Sequence, residues 1–246
     1  QKQNRDNALT ELETFFEEVR DYQKARNGAG NKHPKDTRLE AMLPVIEGAL
    51  PLIIHADETQ QIQSAVAFAN KQKVKMILHG GYDALRCVDL LKANNIPVII
   101  GSVHRVPSRR DDDYDAPFTL AKRLLDAKIP FCISGTSGGN SSKVRNLPYQ
   151  AGKAVAYGLS EEEAIKAITL SPAQIFGVGD QVGSLEVGKQ ATLIVTDGSP
   201  LEITTDVSHA YIQGAKVDLR SKHTRLFEKF KLKYERQGII FPEEKK

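Results

Sequence analysis

Pro51-Leu-Ile-Ile-His55 and Lys75-Met-Ile-Leu-His79 are two short runs of one design, consecutive apolar residues closed by a histidine. Two further runs share the build without the histidine, Pro97-Val-Ile-Ile100 and Pro130-Phe-Cys-Ile133. Apolar residues on successive rather than alternate positions are the mark of strands buried on both faces of a parallel sheet. The first three runs are each followed by a helical pattern, at Gln60–Lys73, Ala84–Asn94 and Asp115–Lys128. Strands alternating with helices at this spacing are βαβ units, which carry parallel strands joined by right-handed crossovers.

Outward from this repeat the texture changes. After the fourth run come two helical patterns, Asn146–Gly158 and Ser160–Phe176. The second has a clear start: Ser160 as N-cap, with Glu161, Glu162 and Glu163 favouring the helix dipole. From Gly183 the chain becomes Gly-punctuated β segments, Ser184–Val187, Ala191–Thr196, His209–Ile212 and Lys216–Val217. They predict a small antiparallel appendage. A basic amphipathic helix over Ser221–Arg236 follows. Upstream of the repeat, Asn7–Arg26 has apolar residues at helical spacing, Asn27–Lys35 reads as an exposed loop, and Asp36–Gly48 as a short second helix.

Composition sets outer limits. With 40% hydrophobic residues among 246, a core of useful size is available. The net charge of +3 is too small to indicate a nucleic-acid partner. Cys87 and Cys132 stand far apart without C-x-x-C spacing and read as small core residues. No apolar run approaches the ~18 residues of a membrane helix, and no signal peptide is visible, so no membrane partner is expected. The chain opens on Gln1 rather than Met, which reads as a processed or excised form.

Aligned on their ends, the four runs deliver His55, His79, Gly101 and Ser134 to one rim. The C-terminal rim of parallel strands is where active sites are built. One histidine after a buried strand is more often a hydrogen-bonded structural residue. Two in register on adjacent strands point instead to a shared ion, and neutral imidazole suits zinc and other first-row metals. Asp57 either orients an imidazole or is a solvated loop residue. His104, Arg105, Arg109 and Arg110 follow the third run beside Asp111–Asp113; they read as a charged surface loop or as groups recognising an anion. Gly135–Ser142 is rich in glycine and hydroxyls, a flexible connector or a backbone cradle for phosphate or carboxylate. His33, His209 and His223 lie off the strand ends and are expected at the surface.

A family resemblance sharpens these readings. Ser171-Pro-Ala-Gln-Ile-Phe-Gly177, followed by Gly183-Ser-Leu-Glu-Val-Gly-Lys-Gln-Ala-Thr-Leu-Ile-Val195, resembles the C-terminal signature of the amidohydrolase superfamily. The resemblance spans roughly residues 36–220 and is greatest to imidazolonepropionase-like members. It implies an α/β fold: the C-terminal half of a TIM (β/α)₈ barrel, with the four runs as strands five to eight, plus part of a small β-sandwich. The implied division is an N-terminal helix and linker (1–35), a half-barrel (36–180), a β-sandwich segment (181–220) and a basic helix and tail (221–246). The implied activity is metal-dependent hydrolysis of carbon–nitrogen bonds other than peptide bonds, cyclic amides included. His55 and His79 map onto metal-site histidines, the metal being divalent, zinc by family. His79 is also the implied catalytic residue, and His104, Arg105, Ser134 and Thr136 fall on the side of a small-molecule substrate.

The sequence departs from the family pattern at three points, one being that no fourth-strand bridging Lys or Glu can be identified before Pro51. No His-x-His strand precedes Pro51, and Pro130–Ser137 contains no carboxylate where the last barrel strand should supply one. A hydroxyl cannot take a proton from water at neutral pH as a carboxylate does. The alternative is therefore a catalytically dead relative that binds a small ligand or a partner. A half-barrel would also expose strand edges and apolar faces, so the chain is expected to form a homo-oligomer or to associate with a missing N-terminal half.

Overall fold

The computed structural model describes residues 2–29, 34–135 and 141–238. Two helices, α1 (Lys2–Ala29) and α2 (Thr37–Ile46), precede a parallel sheet. Its strands are β1 (Leu52–Ala56), β2 (Met76–Gly80), β3 (Val98–Ile100) and β4 (Phe131–Ile133). The connecting helices are α3 (Thr59–Gln72), α4 (Val88–Ala93) and α5 (Ala116–Asp126). The strands neighbour one another in chain order, β1-β2-β3-β4, and every pairing is parallel. Sequential order, combined with the right-handed crossovers that βαβ units take, keeps the connecting helices on one face. That is the winding of β/α barrels rather than of doubly wound sheets, whose helices lie on both faces.

Alternation along the strands therefore separates two faces with different cover. The helix-bearing face holds Met76, Leu78, Val98, Ile100, Phe131 and Ile133, all buried. The opposite face holds Ile53, His55, Ile77, His79, Ile99 and Cys132. Ile77, Ile99 and Cys132 are buried beneath Ile175, while Ile53 on the edge strand stays 51% exposed.

One turn design recurs before the strands. Lys73, Asn95 and Lys128 each take a left-handed conformation (φ 53°, 52° and 56°) and end a helix without a glycine. The next residue in each case, Val74, Ile96 or Ile129, is buried and donates its N–H back to Ala69, Leu91 or Leu124. This is the Schellman arrangement, in which an apolar residue seals the helix end. The local cost of the left-handed residue is offset by that buried side chain.

Beyond β4, helices α6 (Leu147–Ala156), α7 (Glu161–Ile168) and α8 (Leu170–Ile175) follow. The single helix expected over Ser160–Phe176 is broken at Thr169 (φ −128°, ψ −82°). Pro172, lacking an N–H, cannot complete the ladder across that point. The pattern Ala84–Asn94 likewise divides into a 3₁₀ turn, Ala84–Arg86, and α4.

The chain separates into two compact units, Gln1–Glu186 and Val187–Lys246. In the first, α1 docks on α3: Phe16 meets Phe68 edge-to-face at 5.5 Å, and Arg20 donates to the side chain and the carbonyl of the buried Gln72. In the second, β5 (Leu193–Thr196), β6 (Val207–Ile212) and β7 (Ala215–Lys216) form an antiparallel sheet, followed by α9 (Lys222–Glu235). Gln213 and Gly214, both at positive φ, make the tight turn between β6 and β7. The strand expected over Ser184–Val187 does not form, and both Leu185 and Val187 are exposed.

Candidate metal-site rim at the ends of β1 and β2

His55 and His79 are direct register partners on β1 and β2 and share the face away from the connecting helices. Their ring centroids stand 5.2 Å apart, tilted by 45°. The sequence places them side by side, and the structure brings them together there. His55 is the more open, with its side chain 63% exposed. His79 is half-buried; burial lowers its imidazole pKa, the His55 ring lowers it further, and Asp57 pulls in the other direction. His79 is therefore neutral in the neutral range, the form able to accept a hydrogen bond or donate a lone pair to a metal.

The other two strand ends do not share this layer. His79 pairs with Ile99, and Ile99 with Cys132, so Gly101 and Ser134 lie two residues beyond the histidine register. All four ends lie at the C-terminal rim of the parallel sheet, with Gly101 and Ser134 one side-chain layer beyond the histidines. In a tilted, wound sheet neighbouring strands are staggered, and aligning apolar runs by their ends ignores that shear. Ser134 is half-buried and donates its backbone N–H to Ile100 O. Thr136 lies outside the described residues, as does most of the Gly135–Ser142 loop.

Around His55 the loops after β1, β2 and β3 close a cleft of about 370 Å³, lined by Asp57, Gln61, Tyr82, Arg105 and Ser108 among others. Asp57 Oδ2 lies 3.9 Å from His55 Nε2, too far for a hydrogen bond. Its other oxygen accepts the Tyr82 N–H at 3.2 Å and faces Arg105 Nη1 at 3.6 Å. Arg105 also stacks over the Tyr82 ring, 4.5 Å to the centroid, and donates to Ser108 Oγ. The backbone at Gly80 and Gly81 makes this possible. Both have positive φ, and a Cβ would come within 2.9 Å of Asp57 Oδ1 at the first and of Val98 Cγ1 at the second.

Part of the loop after β3 folds onto the site, with Arg105 and Arg109 half-buried, while His104, Val106 and Arg110 stay exposed. Arg109 makes a two-pronged pair with Asp83, at 2.9 and 2.7 Å, and Asp83 is 4% exposed. Thr59 adds two donors to Asp83 Oδ2, from its N–H and its hydroxyl. Gln150, buried on α6, accepts from the Val103 and His104 N–H groups at 2.7 and 2.9 Å and from the Ser102 hydroxyl. His104 itself is exposed and does not line the cleft; burial and the Lys153 charge on α6 lower its imidazole pKa, against a hydrogen bond with the Tyr149 backbone. Sequence reading missed Tyr82, Gln150 and the Asp83–Arg109 pair. The Gly80-Gly81 doublet directly after a strand was the available signal for the first; a glutamine inside a helix gives none.

A larger hollow of about 640 Å³ opens at the other rim, where Pro51, Lys75 and Pro97 begin their strands. Among the described residues, no histidine and no carboxylate lines it. Size alone does not make it the site, because parallel sheets place chemistry at the opposite rim.

Residues 18–224 match the model of the amidohydrolase family. This chain belongs to the amidohydrolase family. It is 28% identical over 152 residues to the imidazolonepropionase of Syntrophobacter fumaroxidans, covering 61% of this chain and 34% of that one. It is 40% identical over 83 residues to the imidazolonepropionase of Micrococcus luteus, covering 33% of this chain and 21% of that one. Its fold matches the crystal structure of an amidohydrolase from Thermotoga maritima with a TM-score of 0.75 at 25% identity, covering 86% of this chain and 56% of the other. A zinc-bound adenosine deaminase from Xanthomonas campestris shares the fold at a TM-score of 0.51 and 15% identity, covering 82% and 54%. The chain spans about a third of the length of the first of these curated relatives.

Amidohydrolases imply a divalent metal, and the donor set can be tested against one. Two imidazoles on one tetrahedral zinc, with Zn–N of about 2.0–2.1 Å, carry their ring centroids about 5 Å apart. The observed 5.2 Å fits that pair. A catalytic zinc takes three protein ligands, and among the described residues no group of three or more His, Cys, Asp and Glu side chains converges. The histidines fit two positions of a metal site and do not complete one. No catalytic step is therefore drawn through a metal.

Proposed function

We propose that this protein is a hydrolase of carbon–nitrogen bonds other than peptide bonds, cyclic amides included, with zinc or a similar divalent ion held in part by His55 and His79. The observation that carries the reading is the ring pair, in register and 5.2 Å apart on the rim where parallel sheets build sites. Membership of the amidohydrolase family and relatives bearing the name imidazolonepropionase support the bond class. In this reading the four-stranded sheet is half of a (β/α)₈ barrel, and the ligands that complete the site come from outside the described residues. His79, neutral and half-buried, is the catalytic member. Arg105, on the cleft beside His55, and Ser134, half-buried after β4, are the described groups this reading gives to a small-molecule substrate.

A second reading is a family member that keeps the fold and binds a ligand without hydrolysing it. One observation favours it: between Asp126 and Glu161 the chain carries no acid, so the end of β4 presents no carboxylate to activate water.

Zinc titration by calorimetry after dialysis against a chelator, joined to an assay on amide and cyclic-amide substrates, separates the two. The hydrolase reading expects zinc uptake that falls by more than about a hundredfold in His55→Ala or His79→Ala, since even outer partners of a metal ligand are worth about 10–100-fold. No uptake, with no hydrolysis in the presence of zinc, would leave the binding reading in place.

A further inference from the structure

We propose that α9 is a docking helix for an anionic lipid surface. Leu226, Phe227, Phe230 and Tyr234 recur at spacings of three, four and seven, and so form one stripe along the helix. All four are exposed, Phe227 at 53% and Phe230 at 45%, and no residue of α9 is buried. Leu232 alone among the apolar residues lies off the stripe. Lys222, Lys229 and Lys233 run along one border and Lys231 along the other, while Glu228 and Glu235 occupy the far side.

Two observations identify the occupant. The first is where the positive charge is free. Arg220 and Arg225 are both taken up by Asp218, and Arg220 also by Glu228. Among the described residues, Lys222, Lys229 and Lys231 enter no ion pair, and Lys233 only overlies the Tyr234 ring. The uncompensated charge therefore borders the aromatic stripe on both sides. Aromatic and leucine side chains flanked by lysines, with acids turned away, are the composition of a helix lying in the plane of a membrane interface. There the rings enter the headgroup boundary and the lysine stems reach out to anionic headgroups. A nucleic acid would use the lysines and leave the stripe uncovered.

The second observation is that the family match ends at residue 224, before the stripe begins at Leu226. The expectation of no membrane partner rested on the lack of a spanning segment. No helix of the described chain is long and apolar enough to cross a membrane, and an in-plane helix needs no such length.

Flotation of the full chain with phosphatidylcholine vesicles, with and without phosphatidylserine, tests this. Binding is expected only where phosphatidylserine is present, and it should weaken as salt is raised. The pair Phe227→Ser with Phe230→Ser should lower the partition coefficient by about tenfold per ring. Lys229→Gln and Lys233→Gln should each lower it about fivefold. These side chains are exposed, so the variants should keep the wild-type circular dichroism. Equal binding to neutral vesicles, no flotation at all, or a Phe pair variant that floats like wild type would overturn the proposal. Capture on an immobilised calmodulin-type acidic protein without flotation would overturn it in favour of an acidic protein partner.

Discussion

The two faces of the parallel sheet are made by alternate residues of the same four strands, yet only one is finished by the described chain. On the helix-bearing face Leu78 and Val98 are wholly buried, and the crossover helices complete the cover. On the other, Ile175 shields only the middle, and the edge strand leaves Ile53 and His55 open. The candidate chemistry stands at the rim of the unfinished face. The two sides of one backbone thus differ in cover: one face is packed under the connecting helices, and the other carries the histidine pair at its open edge.

The sharpest way to break this comparison is to damage the covered face. Leu78→Ala should cost about 3–4 kcal/mol, the range for truncating a fully buried leucine whose surroundings cannot collapse. Urea denaturation reads it directly, and a loss below about 1 kcal/mol would mean that this face is less well packed than its burial indicates.

A somewhat smaller effect sharpens the link between the fold and the rim. Asp83 binds the loop after β3 to the start of α3 through Arg109 and Thr59. Asp83→Asn should cost about 2–3 kcal/mol, because it removes one partner of a largely buried pair. The Arg109 guanidinium holds the Asp83 carboxyl below the ordinary aspartate value of 3.8, against burial and with help from Thr59. A group whose folded pKa is lowered stabilises the fold above its unfolded pKa and loses that contribution as pH falls through the folded value. Wild type should therefore lose stability below about pH 4 more steeply than Asp83→Asn does. Parallel acid slopes for the two proteins in a urea series would show that this carboxylate is not a source of acid sensitivity.

The covered face was legible in the sequence; the rim was legible only in part. Consecutive apolar residues in four runs are a signal of parallel strands, and His55 beside His79 follows once β1 and β2 are aligned. The stagger of β3 and β4 was not legible, because run ends carry no information about shear. The left-handed helix ends at Lys73, Asn95 and Lys128 were hidden as well, since a buried apolar residue after the turn does there what glycine is usually chosen for. Arg105 and Arg109 could not be told from a solvated charge run, because their partners Asp57 and Asp83 belong to other loops. Local composition predicts strands well; it does not predict which loops meet.

The smallest effect on stability bears on the open face. Ile53 is on the edge strand, on the same side as His55, with half of its surface in water. Ile53→Ser should change the unfolding free energy by no more than about 1 kcal/mol, because little apolar surface leaves water when this residue folds into place. Its effect should appear instead in association. An edge strand with free backbone groups beside an apolar side chain is a template for another strand, whether from a second copy or from a further β/α segment. We expect wild type to self-associate in light scattering and Ile53→Ser to do so less, with an unchanged circular dichroism spectrum as the control that the fold is intact. A wild-type monomer at all concentrations would show that the exposed side of β1 needs no cover. The two faces would then differ in burial alone.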